Sequence, residues 1–147
     1  MAVLVDTNIL LRRMQAFHDH HLAAVESVER LMKSGERVCF TFQNIAEFWC
    51  VATRPVANNG LGCDVAQVMS EVAKIESSLE LLPETESIYP EWRRIVATFK
   101  VKGVQVHDAR LVAAMNVHNV SRLLTFNISD FARYGVETMH PALAISG

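Results

Sequence analysis

The sequence predicts one α/β domain over residues 1–147, a small, mainly parallel sheet of about four to five strands flanked by helices on both faces. Three observations predict it. Short apolar or β-branched runs alternate with helical stretches along the chain. The strongest runs are each followed directly by a polar residue and a helix-like pattern, as in buried parallel strands. Finally, 147 residues, half of them apolar, with a formal net charge of -2, suit one compact core and leave little room for a second.

The elements follow in order. Ala2 to Val5, Arg37 to Phe40 and Arg122 to Leu124 read as buried strands, with weaker strands at Glu80 to Leu82 and Val136 to Met139. Between them lie three amphipathic helices: Leu22, Val25, Val28 and Leu31 share one face, as do Val65, Val68, Val72, Ile75 and Leu79, and Ile88, Trp92, Ile95 and Phe99. Trp49 and Trp92 fall on apolar faces and read as core. Asp64 with Gln67 makes a capping box. Pro55 closes the helix before it, and Asn58-Asn59-Gly60 marks a surface turn, expected to tolerate insertion best.

The same composition excludes several classes. An apolar content this high with so little net charge excludes disorder. No apolar run approaches the roughly 18 residues of a membrane helix. The stretch Ala2 to Leu11 is interrupted by Asp6 with no basic residue ahead of it, so neither anchor nor signal peptide is expected. Cys39, Cys50 and Cys63 form an odd set without a Cys-x-x-Cys pair. They read as core filler in a reducing cytoplasm, not as a disulfide or zinc framework. Near-neutrality argues against a nucleic-acid-coating protein. Ten of the fourteen basic residues are Arg, however, the side chain suited to bidentate phosphate contacts, so any such contact would be local or shared with another chain.

In open parallel sheets ligands bind beyond the carboxyl ends of the strands, and the carboxylates fall there. Of five aspartates, Asp6 closes the first strand, Asp108 opens the helix containing Leu111 and Met115, and Asp130 follows the strand Arg122 to Leu124. Glu47 lies in the most apolar helix, Phe42 to Ala52, where a carboxylate needs a cation, a donor or a proton. Each residue alone also has an ordinary reading. Asp6, Asp108 and Asp130 are all suited to helix caps, and Glu47 is spaced to share a solvated stripe with Gln43 and Arg54.

The combination says more. Val3-Leu4-Val5-Asp6-Thr7-Asn8-Ile9-Leu10, Asn44-Ile45-Ala46-Glu47-Phe48, His107-Asp108-Ala109 and Leu124-Thr125-Phe126-Asn127-Ile128-Ser129-Asp130-Phe131 resemble the PIN-domain family in order and spacing, and most of all the VapC-type toxins of toxin-antitoxin pairs. The resemblance covers essentially the whole chain. It implies a sheet sandwiched by helices, with acidic residues converging on a pocket that binds Mg²⁺ or Mn²⁺ and cleaves RNA. Carried onto this chain, the catalytic and metal-binding positions are Asp6, Glu47, Asp108 and Asn127. Asn127 stands where many members have a fourth aspartate, and brings an oxygen donor without charge, which bears on a second metal site. Thr125, Asp130 and Asn8 are expected to support the ligands from behind. Arg12, Arg13 and Arg110 are candidate phosphate contacts, each equally readable as a surface charge. The resemblance further implies a homodimer, and a small antitoxin partner seated in a groove beside the pocket.

The residue types suit that chemistry. Phosphodiester hydrolysis needs an activated water and neutralised phosphoryl oxygens, which a hard divalent cation supplies, and such cations take oxygen ligands. Clustered carboxylates without a cation should hold protons, making metal binding pH-dependent. His18-Asp19-His20-His21 reads as a solvated loop and helix cap instead of a zinc site, and His107 as a phosphate donor or an outward neighbour of Asp108. Two other functions compete. One is an RNA- or protein-binding module whose metal site Asn127 has weakened. The other is a phosphatase, which lacks both a second aspartate two residues after Asp6 and a Gly-rich phosphate loop.

Overall fold

The computed structural model describes residues 1–144. Five strands, β1 (Ala2–Val5), β2 (Arg37–Thr41), β3 (Glu80–Leu82), β4 (Arg122–Leu124) and β5 (Glu137–Met139), form one sheet in the order β3-β2-β1-β4-β5. Every neighbouring pair is parallel. The expected strands are therefore present, with β2 one residue longer and β5 one residue shorter than the apolar pattern predicts.

Parallel pairing requires a crossover between successive strands, and helices supply it. α1 (Thr7–Met14) and α2 (His21–Lys33) join β1 to β2, and α3 (Phe42–Thr53) and α4 (Val65–Ser78) join β2 to β3. From β3, α5 (Ile88–Thr98) and α6 (Gln105–Val117) lead to β4; a 3-10 turn, Ile128–Tyr134, leads to β5, and α7 (Pro141–Ala144) follows. Alternation along the strands divides the interior into two cores. Val3, Val5, Val38, Phe40 and Leu124 face α1 to α4, whereas Leu4, Cys39, Leu82 and Leu123 face α5 and α6.

Some expected helix faces are corrected at their first turn. Leu22 is 66% exposed and Val65 54%, because each opens its helix at the rim of the sheet, while Val28, Leu31, Val68 and Ile75 go inward. Of the cysteines, only Cys39 is fully buried; Cys63 is half-buried, and Cys50 lies on the outer face of α3 beside the Arg54 guanidinium. Trp49 and Trp92 pack half-buried against the two cores. Asp64 and Gln67 form the expected reciprocal cap on α4. Among the described residues no helix is long and apolar enough to cross a membrane.

The loop after α3 is also not the slack segment that Asn58-Asn59-Gly60 suggests. The amides of Leu61, Gly62 and Cys63 donate to the carbonyls of Val51, Arg54 and Ala52, folding the loop back onto the helix end. A Cβ on Gly60 would stand 1.9 Å from the Arg54 carbonyl oxygen. Gly60→Ala should therefore cost on the order of 3 kcal/mol, seen as a lower urea midpoint with an unchanged slope. An unmoved midpoint would show that the loop yields.

Candidate active site

The strand order reverses direction between β1 and β4, and the crevice beyond their carboxyl ends is where such sheets build sites. Asp6 sits at that point. Its amide extends the ladder by donating to the Leu124 carbonyl at 2.9 Å, and its Oδ1 caps α1 by accepting the Thr7 amide at 2.7 Å. The cap reading and the pocket reading of Asp6 are thus compatible. Oδ2 accepts the Thr125 hydroxyl at 2.8 Å and the Asn8 side-chain amide at 3.4 Å. Thr125, fully buried, meanwhile accepts the Asn127 amide at 2.9 Å, so one hydroxyl fixes both the loop after β4 and the carboxylate after β1.

Glu47 reaches the same place from α3. The Thr7 hydroxyl donates to its Oε1 at 3.0 Å while accepting the Asn44 side-chain amide at 3.1 Å. Asn44 is fully buried and also forms the capping box of α3 with Thr41. Thr7 and Asn44, which lie within the motifs beside Asp6 and Glu47, are thus positioning residues that the motifs alone do not reveal. The spacing of Asn44 three residues after Thr41 carried the signal. Gln43 donates to the His107 carbonyl at 2.7 Å and to Glu47 at 3.5 Å, tying α3 to the start of α6.

Asp108 follows that carbonyl. It is not the cap of α6, which begins three residues earlier at Gln105; it lies in the first turn, half-buried, and its carboxylate accepts no hydrogen bond among the described residues. Asp130 is exposed within the 3-10 turn, whose cap position belongs to Asn127, so its reading as a cap is also corrected. Asn127 is exposed, and its side chain makes no cap bond.

Electrostatics tie these groups together. Burial raises Asp6 from 3.8 to about 6 against the opposing Thr125 and Thr7 hydrogen bonds, and Glu47 and Asp130 push the same way. Burial raises Asp108 to about 7, and Asp6, Asp130 and Glu47 add to it while Arg133 opposes. Four carboxylates therefore share one field. Arg133, which no motif of the sequence marks out, is held by Gln105 and the Phe99 carbonyl.

The PIN domain family model matches residues 3–137. The chain belongs to the PIN domain family. Among solved structures, this PIN domain is similar to VapBC-1 from nontypeable Haemophilus influenzae, with a TM-score of 0.69 and 16% identity, over 97% of this chain and 99% of that one. It is similar to VapC20 of Mycobacterium tuberculosis, a sarcin-ricin loop cleaving toxin, with a TM-score of 0.66 and 18% identity, over 91% and 95% of the two chains. FitAcB from Neisseria gonorrhoeae matches with a TM-score of 0.66 and 14% identity, over 95% and 98%. At these identities the likeness is one of fold. No curated protein matches the chain significantly.

The donors at the centre of this PIN domain suit a hard cation. Among the described residues no three His, Cys, Asp or Glu side chains form a ready-made cage. Mg²⁺ does not require one, since it is usually held by one or two carboxylates and keeps several waters. What the pocket offers is oxygen: Asp108 has no donor, Glu47 Oε2 accepts none, and the buried Oδ1 of Asn8 and Oε1 of Gln43 have no hydrogen-bond partner. Such groups are costly to bury uncompensated, and a cation with its waters would satisfy them.

The candidate arginines part company. Arg110 is exposed beside the pocket, paired with Glu84. With Glu47, Gln43, Arg54, His107 and the 61% exposed Phe42, it lines a groove of about 570 Å³. Gln43, Glu47 and Arg54 thus do share a stripe, and that stripe is a groove wall. Arg12 bonds Gln15 at 2.6 Å on the last turn of α1. Arg13 faces Glu29 and Glu71, away from the carboxylates.

Proposed function

We propose that this PIN domain, a single domain over residues 1–147, is a Mg²⁺- or Mn²⁺-dependent endoribonuclease acting as the toxin of a toxin-antitoxin pair. The observation that carries the reading is the convergence of Asp6, Glu47 and Asp108 at the strand-order switch, two of them held near neutral pKa values and one without any donor. Support by analogy comes from the similar VapC20, a sarcin-ricin loop cleaving toxin, and from the similar VapBC-1 structure. In this reading Asp6, Glu47, Asp108 and Asn127 hold the cation, with Asn8, Thr125 and Asp130 behind them. A divalent cation there supplies charge neutralisation at the phosphoryl oxygens and lowers the pKa of water.

The chain's own residues do the rest. Thr125 after β4 fixes Asp6 and Thr7 after β1 fixes Glu47, both from the carboxyl ends of neighbouring strands, so neither carboxylate has to reorganise when RNA arrives. Asp108, near pH 7, holds a proton in the metal-free protein and yields it as the pocket gains positive charge. Arg110 stands at the rim for a phosphate, as would Arg12 from α1. The groove from Phe42 to Arg54 receives a segment of a small antitoxin, and two copies of the chain pair as a homodimer in the cytoplasm.

The test is direct. Purified protein stripped with chelator should leave a mixed RNA pool intact, and restoring Mg²⁺ or Mn²⁺ should start cleavage. Folded protein that binds RNA unchanged with or without chelator, and never cuts it, would instead establish the binding-module reading, which the uncharged Asn127 favours.

A further inference from the structure

Arginines on this surface mostly spend their charge on a carboxylate. Arg37 pairs with Glu80, Arg94 with Glu91, Arg110 with Glu84 and Arg122 with Glu36. Arg133 is held differently. Its Nη1 donates to the Phe99 carbonyl at 3.3 Å, its Nη2 donates to the Gln105 side-chain oxygen, and its Cζ stands 5.2 Å from the centre of the Tyr134 ring. All three partners are neutral, and among the described residues Arg133 forms no ion pair and its Nε finds no acceptor. Fixing a long cationic side chain costs conformational entropy, and neutral partners leave its charge uncompensated. The side chain is exposed, so the unused edge of the guanidinium is open to an anion.

Two helical periods place that guanidinium at the carboxylates. Gln105 is the first residue of α6 and Asp108 lies three residues on, so the group that holds Arg133 and the carboxylate share one face of the helix, a turn apart. The 3-10 turn, with three residues per turn, brings residues three apart into line. Phe131 and Tyr134 pack along its inner edge, whereas Asp130 and Arg133 share an exposed edge that Asn127 opens at the cap. The fields agree with this placement: Asp130 and Arg133 both act on Asp108, with opposite signs. A pocket built of carboxylates repels a polyanion, and Arg133 is the cation fixed on its rim from the side of α6.

We infer that Arg133 is a phosphate-binding residue of this site, its guanidinium mounted on Gln105, the Phe99 carbonyl and the Tyr134 ring to take a backbone phosphate of RNA drawn to Asp6, Glu47 and Asp108. The inference rests on the ribonuclease reading and deepens it. Arg110, already paired with Glu84, has to give up a carboxylate to do the same, whereas Arg133 gives up nothing.

The experiment uses the full chain in an Asp6→Asn background with Mg²⁺, so that RNA stays whole, and follows the anisotropy of a short fluorescein-labelled RNA across a series of KCl concentrations. Arg133→Gln should weaken binding roughly tenfold and make the slope of log affinity against log salt shallower by about 0.7, the value for one phosphate contact on a single strand. Arg133→Lys should keep the slope and recover part of the affinity, because it retains the charge and loses the fork. Gln105→Ala, which keeps the charge and loosens its mount, should cost affinity with the slope unchanged. Arg94→Gln, on the exposed pair of α5, should match the parent in both. Parent-like affinity and slope in Arg133→Gln would overturn the contact and show that Arg133 serves Asp108 alone, leaving metal-dependent cleavage by the wild type untouched. Equal loss of slope in Arg133→Lys and Arg133→Gln would also overturn it, since a phosphate contact follows the charge. Conversely, the expected slopes in a protein whose wild type never cuts RNA would keep the contact and sink the ribonuclease reading.

Discussion

Asp6→Asn is expected to reduce RNA cleavage roughly a hundredfold or more, and at the same time to stabilise the metal-free protein at neutral pH. The two effects share a cause. Asp6 is 9% exposed, and burial disfavours its charge, so removing that charge relieves the fold. The retained amide oxygen can still accept from Thr7, which keeps the α1 cap. The gain should be modest, about 1–2 kcal/mol, because an amide nitrogen facing the Thr125 hydroxyl and the Asn8 amide meets two groups that already donate. Opposite signs for activity and stability are what separate a functional carboxylate from a cap. Asp64→Asn, at the exposed cap of α4, should leave cleavage unchanged and bring no such gain. Wild-type cleavage by Asp6→Asn would remove Asp6 from the chemistry and, with it, most of the case for this pocket.

The second large effect is a pH dependence that a divalent cation reverses. Asp6 and Asp108 bind protons more tightly folded than unfolded, with values of about 6 and about 7 against 3.8. Their contribution is complete below about pH 4 and is lost as pH climbs to about 7, since the unfolded chain sheds those protons first. Between pH 5 and 7.5 the metal-free protein should therefore lose stability, about 1.5 kcal/mol from Asp6 and, once discounted for its partial exposure, a similar amount from Asp108. The ion pairs of Glu36, Glu80 and Glu91 act the other way only below pH 4.5, where their lowered values lie, and all three are surface pairs of small worth. Millimolar Mg²⁺ or Mn²⁺ should raise the melting midpoint at pH 7.5 and do little at pH 5.5. Calorimetry in buffers of different ionisation enthalpy should find about one proton released near pH 6.5. A midpoint flat across this range with and without cation would refute the electrostatic account.

What made the fold legible is the burial of its strands on both faces. Val3, Leu4 and Val5 are all fully buried although alternate residues feed different cores, so an uninterrupted apolar run marks each central strand. The polar residue ending such a run is then conspicuous, which is how Asp6 and Thr125 stood out. Other boundaries left no trace. α6 begins after Val104 without a side-chain cap, so Asp108, the first acidic residue in sight, marks the helix start in sequence but lies a turn inside it. The loop from Pro55 to Cys63 is pinned by backbone amides, and backbone bonds have no composition. Arg133 acts on Asp108 only through its charge, from a turn more than twenty residues on, an influence with no local pattern. Glu47 escaped a single reading for a better reason: the stripe it shares with Gln43 and Arg54 and the pocket it enters are adjacent surfaces of one helix.

The position of β1 has a consequence for when this protein can act. Its strand is hydrogen-bonded to β2 on one side and to β4 on the other, and Asp6 takes its final contacts from Leu124 and Thr125, more than a hundred residues downstream. Residues made early are thus completed by residues made much later, with the Thr125 amide in turn donating to the Met139 carbonyl. A growing chain still held on the ribosome has Asp6, Glu47 and Asp108 in solution but no frame to gather them. Its carboxylates stay apart until β4 and β5 have cleared the exit tunnel and closed the sheet. The carboxylate cluster is thereby kept unassembled during synthesis, and whatever chemistry it carries begins only once those two strands have joined the sheet.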